Sequence, residues 1–229
     1  MKIAIITIAT GKYYKHIETL KSSIDKYFLK DHNKTLYLFT DQTCTDSNIL
    51  SHYIDDLPSP LTTLLRFKYI LDIKPELLNF DLIYYIDADC KIVCEINNEI
   101  FPDMTSQLVV AQHPWQKYNS NSYETNPKST ACVIDSKNTH YFQACFFGGY
   151  TNDFIKMAEE LDKNIRIDLK NNIIAKWRDE SHINKYIIEN PHKELTPSYC
   201  FPYNHVIHPW EGCNYVPKII HYNCSTYPF

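Results

Sequence analysis

Asp87 and Asp89 stand one residue apart, directly after the all-apolar run Leu82–Ile86. A strand that ends in such a pair delivers both carboxylates to one edge of a sheet. Two neighbouring like charges are costly to hold together, and a hard divalent cation is their natural counter-charge. Magnesium or manganese held there can bridge a diphosphate and stabilise it as a leaving group. A pair of solvated acids at a strand end is the plain alternative. A phosphohydrolase with Asp87 as nucleophile is another, although such enzymes usually place the motif on their first strand.

A second cluster, Trp177-Arg178-Asp179-Glu180-Ser181-His182, sets an aromatic plate, two acids and a histidine where a helix begins. Asp179 reads as an N-cap, and both acids suit the positive end of the helix dipole. The chemical reading has Glu180 facing a developing oxocarbenium ion, with Asp179 holding sugar hydroxyls. Retention of anomeric configuration calls for a carboxylate beneath the reacting carbon. A third segment, Phe146-Phe147-Gly148-Gly149, reads either as a turn with a glycine at positive φ or as a floor where backbone approaches a sugar.

The elements that position these groups follow from hydrophobic patterning. Ile3–Ile8 is a buried strand, Tyr14–Phe28 carries apolar residues at helical spacing, and Leu36–Phe39 is a second strand. This opening predicts a parallel βαβ unit with ligands at the carboxyl edge of its sheet. A helix is expected over Thr62–Asp72, strands over Leu82–Ile86 and Leu108–Gln112, and helices over Asn152–Leu161 and Asp179–Glu189. The segment His113–Lys128, rich in Asn, Ser, Tyr and Pro, reads as a functional loop. Val216–His221 is a last strand-like run.

Composition narrows the function further. The 229 residues carry a formal net charge of −4 and no long basic run, which disfavours nucleic acid as a partner. With four glycines, a glycine-rich nucleotide loop is disfavoured, and a localised cation is needed to hold a diphosphate. No apolar stretch reaches the roughly 20 residues a membrane helix needs. Ile3–Ala9 reads as a strand and not as a signal peptide. The eight cysteines are therefore expected to be reduced thiols of a cytoplasmic protein.

Taken in order, Phe39-Thr40-Asp41-Gln42, Tyr84–Asp89, Tyr123-Glu124, Tyr141–Gly149, Trp177–Tyr186 and Pro197 with Tyr199 resemble glycosyltransferase family 6, the family of the blood-group A and B transferases and α-1,3-galactosyltransferase. The run W-x-D-E-S-H-x-N-K-Y is the most specific block. The similarity spans Ile3 to Tyr199, with gaps at Asn48–Pro60 and Glu95–Leu108, and is to the short bacterial or viral members.

The resemblance implies an α/β, GT-A-type nucleotide-sugar transferase fold, with a mixed, mainly parallel sheet flanked by helices. Residues 1–229 form a single catalytic domain in this reading, with a nucleotide-binding half to about residue 110 and a donor-sugar and acceptor half beyond. By position, Ile8, Ala9 and Tyr13 match the uridine site, and Arg66 the donor-contacting helix arginine. Asp87 and Asp89 match the metal pair, with Ala88 between them in the donor site. His113 and Trp177 match acceptor contacts, Asp179 the donor-sugar ligand, and Glu180 the catalytic carboxylate, which also borders the acceptor. The implied activity is retaining α-1,3 transfer of galactose or N-acetylgalactosamine from its UDP-sugar to a β-galactoside-type oligosaccharide, with Mn2+ or Mg2+ as cofactor. Family members set donor choice near the positions of Gln143, Ala144 and Cys145. Gln143 and Cys145 are larger than the glycines of acetamido-accepting members, which favours UDP-galactose.

Three departures stand out. Pro202 replaces an acceptor-binding Asp, Gln143 is atypical, and the basic tail that closes over the diphosphate in mammalian members is missing. Lys218 and His221 are candidates to replace it, with a strand end carrying one core-facing histidine the favoured reading. A carbohydrate-binding protein without turnover is the remaining alternative.

Overall fold

The computed structural model describes residues 1–114, 122–135, 140–207 and 213–222. Part of the expected loop, residues 115–121, lies outside them. β1 (Lys2–Ile8) leads through a 3-10 turn, Gly11–His16, into α1 (Ile17–Tyr27), and β2 (Asn33–Thr40) follows. β3 (Ile49–Tyr53), α2 (Leu61–Leu64), α3 (Arg66–Asp72) and α4 (Lys74–Leu77) precede β4 (Leu82–Ile86) and β5 (Cys90–Ile92). Next come β6 (Leu108–Gln112), β7 (Phe142–Tyr150), α5 (Thr151–Lys170) and α6 (Asp179–Glu189). β8 (His192–Leu195), β9 (Phe201–Pro202), α7 (Asn204–Ile207) and β10 (Ile219–His221) complete the order.

Seven strands form one sheet in the order β3-β2-β1-β4-β7-β6-β8. Pairing is parallel from β3 through β4 and between β6 and β8, and antiparallel on both sides of β7. This is the mixed, mainly parallel α/β sheet of a GT-A-like fold. β4 is buried at every position, so its sequence LIYYI is apolar without alternation, as a strand covered on both faces requires. One face packs on α1 through Ile17, Leu20 and Ile24; the other packs on α3, α5 and α6 through residues such as Phe67, Phe154 and Ile183. β1 continues to β2 on one side and borders β4 on the other. The crevice at their carboxyl ends is therefore the topological switch point where such sheets bind ligands. A small second sheet, β5-β10-β9, lies at this same end.

Four expectations change. Phe146 to Gly149 are neither a turn nor a sugar floor; they lie inside β7, and neither glycine has positive φ. A Cβ on Gly148 would sit 2.3 Å from the Tyr84 ring and 2.5 Å from the Ile83 carbonyl, so close strand packing is what demands glycine. The expected Tyr14–Phe28 helix begins with a 3-10 turn, and the expected Thr62–Asp72 helix is two short helices broken at Leu65. α5 runs nine residues past Leu161, to Lys170, because Ile165 extends its buried stripe.

Candidate active site

The carboxyl ends of β1 and β4 open into a cleft of about 790 Å³. After β1 the chain turns at Gly11, whose φ of +51° is a left-handed conformation that glycine adopts without penalty. Asp41 accepts the Gly11 N–H at 2.9 Å, and the Gln42 amide donates to the Gly11 carbonyl at 2.8 Å. The Thr40-Asp41-Gln42 block thus holds the turn that shapes one wall. Ile8, Gly11, Lys12 and Tyr13 line that wall, whereas Ala9 is fully buried behind it.

Asp87, Ala88 and Asp89 line the opposite side. The Asp87 N–H donates to the Cys145 carbonyl at 2.9 Å, so the motif starts where the β4–β7 ladder ends. Asp87 accepts from the Tyr85 hydroxyl at 2.9 Å and from Arg66 Nη2 at 3.4 Å. Burial raises its pKa to about 7 against the pull of Arg66, and Asp89 adds to the rise. His221, at the end of β10, completes a cluster: one of its ring nitrogens and one oxygen of each carboxylate lie within 4.8 Å of one another. Burial alone would lower the His221 pKa, but Cys145, Asp89 and Asp87 outweigh it and raise it to about 10. Two oxygen donors and an imidazole suit a divalent ion of the manganese type. The favoured reading of His221 as merely core-facing is therefore overturned. Lys218 points elsewhere, bonded to Glu99 at 2.6 Å.

Arg66 joins this cluster to the second pair of acids. It is 4% exposed, its guanidinium lies 4.1 Å from the Tyr85 ring centroid, and Nη1 donates to the Ala144 carbonyl at 2.8 Å. Its Nε lies 3.3 Å from Asp179 Oδ2, yet neither atom makes a well-aligned hydrogen bond. On the other side of the same residue, the Ala144 N–H donates to Glu180 Oε2 at 2.9 Å. Asp87, Asp179 and Glu180 are thus gathered around Arg66 and the backbone of one β7 residue, Ala144. Burial raises the Glu180 pKa to about 8, although the Ala144 N–H opposes this. The Tyr141 hydroxyl, buried without an aligned partner, lies beside Glu180.

The geometry of β7 makes this possible. Val110 pairs with Phe147 and Ala111 with Gln143, so Ala144, Cys145 and Phe146 bulge out of the β6 ladder. Bulges of this sort re-aim chain beside functional sites. Here the Ala144 backbone reaches both Arg66 and Glu180. Cys145 turns its sulfur into the core, beside the thiols of Cys90 and Cys200. Gln143 instead extends to His221, its Nε2 3.0 Å from Nδ1.

The long motif around Asp179 is chiefly a positioning device. Asn184 accepts the Phe142 N–H at 2.8 Å and donates to the Phe142 carbonyl at 2.8 Å, locking α6 onto β7. Ser181 accepts the Trp177 N–H at 2.9 Å. His182 is buried next to Asp168, and burial lowers its pKa to about 4. Asp179 is not the N-cap: Arg178 occupies that position with φ +58° and ψ −130°, and Asp179 is the first helical residue. Such backbone is rare for a residue with a Cβ and concentrates at functional sites. Arg178 also lines the cleft, a residue that motif reading left without a role.

The acceptor candidates lie apart from the cleft lining. Trp177 is 45% exposed, as a plate for stacking would be. His113 is partly buried, its pKa lowered to about 4 by burial, and its ring meets Tyr141 edge-on at 6.0 Å. Seven cysteines in the described residues are free thiols. No helix among the described residues is long and apolar enough to cross a membrane.

Comparison with known proteins agrees with this arrangement. The family model described as Glycosyltransferase family 6 matches residues 64–211, from the end of α2 past β9. The chain is 31% identical over 212 residues to the O-antigen biosynthesis glycosyltransferase WbnI of Escherichia coli, covering 88% of each. It is 26% identical over 215 residues to Globoside alpha-1,3-N-acetylgalactosaminyltransferase 1 of Homo sapiens. It is 23% identical over 221 residues to Histo-blood group ABO system transferase 2 of Rattus norvegicus. Those two matches cover 87% and 86% of this chain but 60% and 62% of the mammalian proteins, less than two thirds of their length. A phosphohydrolase built on Asp87 has no place in this picture. By its motifs, its fold and these matches, the chain belongs to glycosyltransferase family 6.

Proposed function

We propose that the chain is one GT-A-type catalytic domain that transfers galactose from UDP-galactose, with retention, in α-1,3 linkage to a β-galactoside-type glycan. The observation that carries this reading is the convergence of Asp87, Asp179 and Glu180 on Arg66 and the Ala144 backbone, of which Arg66 and Asp87 line the cleft between β1 and β4. Ile8 and Tyr13 receive the uridine. Asp87 and Asp89 hold a divalent ion, Mn2+ or Mg2+, which when bound neutralises the diphosphate of the leaving group.

Arg66 fixes the orientation of Asp179, the donor-sugar ligand of this reading, whose Oδ2 is buried 3.3 Å from Arg66 Nε without an aligned hydrogen bond. Burial raises the Glu180 pKa to about 8, so its ionised form is favoured when a positive charge develops on the sugar carbon beside it. Such a carboxylate stabilises the transition state more than the ground state. Trp177 and His113 face the acceptor.

The galactose reading rests on Gln143 and no longer on Cys145, whose side chain is turned to the core. A second reading, UDP-N-acetylgalactosamine as donor, is favoured by the activity for which the human relative is named. The deciding experiment is a donor screen with manganese, offering UDP-galactose, UDP-N-acetylgalactosamine and UDP-glucose with simple β-galactosides and scoring transfer over hydrolysis. Transfer from UDP-galactose alone supports the first reading, preference for the acetamido sugar the second. Transfer from neither galacto-configured donor refutes both.

A further inference from the structure

The metal-site reading leaves one polar atom unexplained. Gln143 Oε1 is buried without a hydrogen-bond partner, while Nε2 of the same amide lies 3.0 Å from His221 Nδ1. An unsatisfied buried amide oxygen is costly. The oxygen and nitrogen of a side-chain amide are near-isosteric, so turning the group by half a revolution exchanges them with almost no change in packing. Oε1 would then face His221 Nδ1 and accept its proton, and the amide NH2 would take the buried place that Oε1 vacates. With Nδ1 protonated, the proton on Nε2, the nitrogen 3.4 Å from Asp89 Oδ1, is the one a divalent ion would displace, and the freed lone pair is directed at the Asp87-Asp89 pair.

We propose that His221 is the third protein ligand of the divalent ion, binding through Nε2, and that Gln143 is the positioning residue that holds its tautomer. This rests on the reading of Asp87 and Asp89 as metal ligands and deepens it. Metal-bound histidines generally donate their other ring N–H to a carbonyl or carboxylate. The Gln143 amide is the group in contact with Nδ1. Two features of the fold support the assignment. β10 pairs antiparallel with β5, His221 opposite Cys90, and the Tyr222 N–H donates to the Asp89 carbonyl at 2.9 Å. The histidine is thus tied by backbone to the residues of the acidic motif itself. Gln143 stands on β7 immediately before its bulge, and its amide reaches β10 at His221. An imidazole in the set favours manganese over magnesium, which prefers all-oxygen ligands.

The test is Mn2+ binding to the intact protein without nucleotide, followed by the loss of the free-ion EPR signal, with pulsed EPR to detect a coordinated 14N nucleus. The wild type should show the 14N coupling, and His221→Ala should lose it and bind Mn2+ at least ~10-fold more weakly. Gln143→Met, which removes the acceptor at similar volume, should weaken binding by about 10-fold. Gln143→Glu, which keeps an acceptor opposite Nδ1, should bind at least as tightly as wild type. Mn2+ bound in an Asp89-dependent way without 14N coupling overturns the His221 assignment while sparing the acidic pair. Unchanged affinity in Gln143→Met overturns the role of Gln143. No Mn2+ binding by wild type refutes the underlying metal-site reading, and this proposal with it.

Discussion

Replacing Arg66 by Met tests the electrostatic centre of the site, because that one side chain holds three things together. It lies between Asp87 and Asp179 at 3.4 and 3.3 Å, and it donates to the Ala144 carbonyl at 2.8 Å. Methionine keeps much of the volume, so the cost is mainly electrostatic. Removing one partner of a buried ion pair costs about 3–5 kcal/mol, since the other charge is left uncompensated. Here two carboxylates are left, but each can escape by taking up a proton. Burial already raises the pKa of Asp87 to about 7 and raises that of Asp179 as well. A folded-state carboxyl pKa above its unfolded value means stability is lost as pH rises between the two. Without Arg66 both folded values rise further, so the penalty should be small well below pH 7, where Asp87 is protonated, and should grow as pH passes about 7. Urea denaturation of wild type and Arg66→Met at pH 5 and pH 8, with the m-values compared, measures it directly. We expect roughly 1–2 kcal/mol at the lower pH, from the lost hydrogen bond and packing, and about 3–5 kcal/mol at the higher. A cost below about 1 kcal/mol at pH 8, or no dependence on pH, would refute the assignment of Arg66 as the charge that balances these acids.

Glu180→Gln should cut turnover by at least ~10²-fold while UDP affinity stays nearly intact, because its role is confined to the reacting carbon. Steady-state kinetics with calorimetric UDP binding checks this, and an equal loss of nucleotide affinity would contradict it. At position 178 the usual stability order should invert. With φ +58° and ψ −130° at that residue, Arg178→Gly should be more stable than Arg178→Ala by about 1 kcal/mol, since alanine keeps the strained backbone and glycine relieves it. Thermal unfolding of the two variants decides, and greater stability of the alanine form would show that the backbone is not strained there.

The parts of the site legible in the sequence are those written in contiguous residues. The apolar run before Asp87 gives β4, and the opening strand, helix and strand give the switch point beside it. The boundaries expected for Asp179–Glu189 hold because Asn190 leaves the helix in an extended conformation. What stayed hidden is long-range. Gly148 and Gly149 look like a turn, and only the Tyr84 ring shows why a strand needs glycine there. β5 and β10 have three residues each, too few for a periodic signal, so the approach of His221 to Asp89 could not be read. β8, with the sequence HKEL, has the composition of a surface helix and is a strand because its backbone extends the sheet beyond β6. The bulge that aims Ala144 at Glu180 depends on the register between β6 and β7, which no local pattern records.

Calorimetry of UDP binding to wild type and to Asp89→Asn, each with and without Mn2+, reaches the central claim most directly. Wild type should bind UDP tightly only with the ion present, and Asp89→Asn should lose that ion-dependent affinity while remaining folded. UDP binding that is indifferent to Mn2+, or unchanged in Asp89→Asn, would mean that the acidic pair does not hold the nucleotide through a metal.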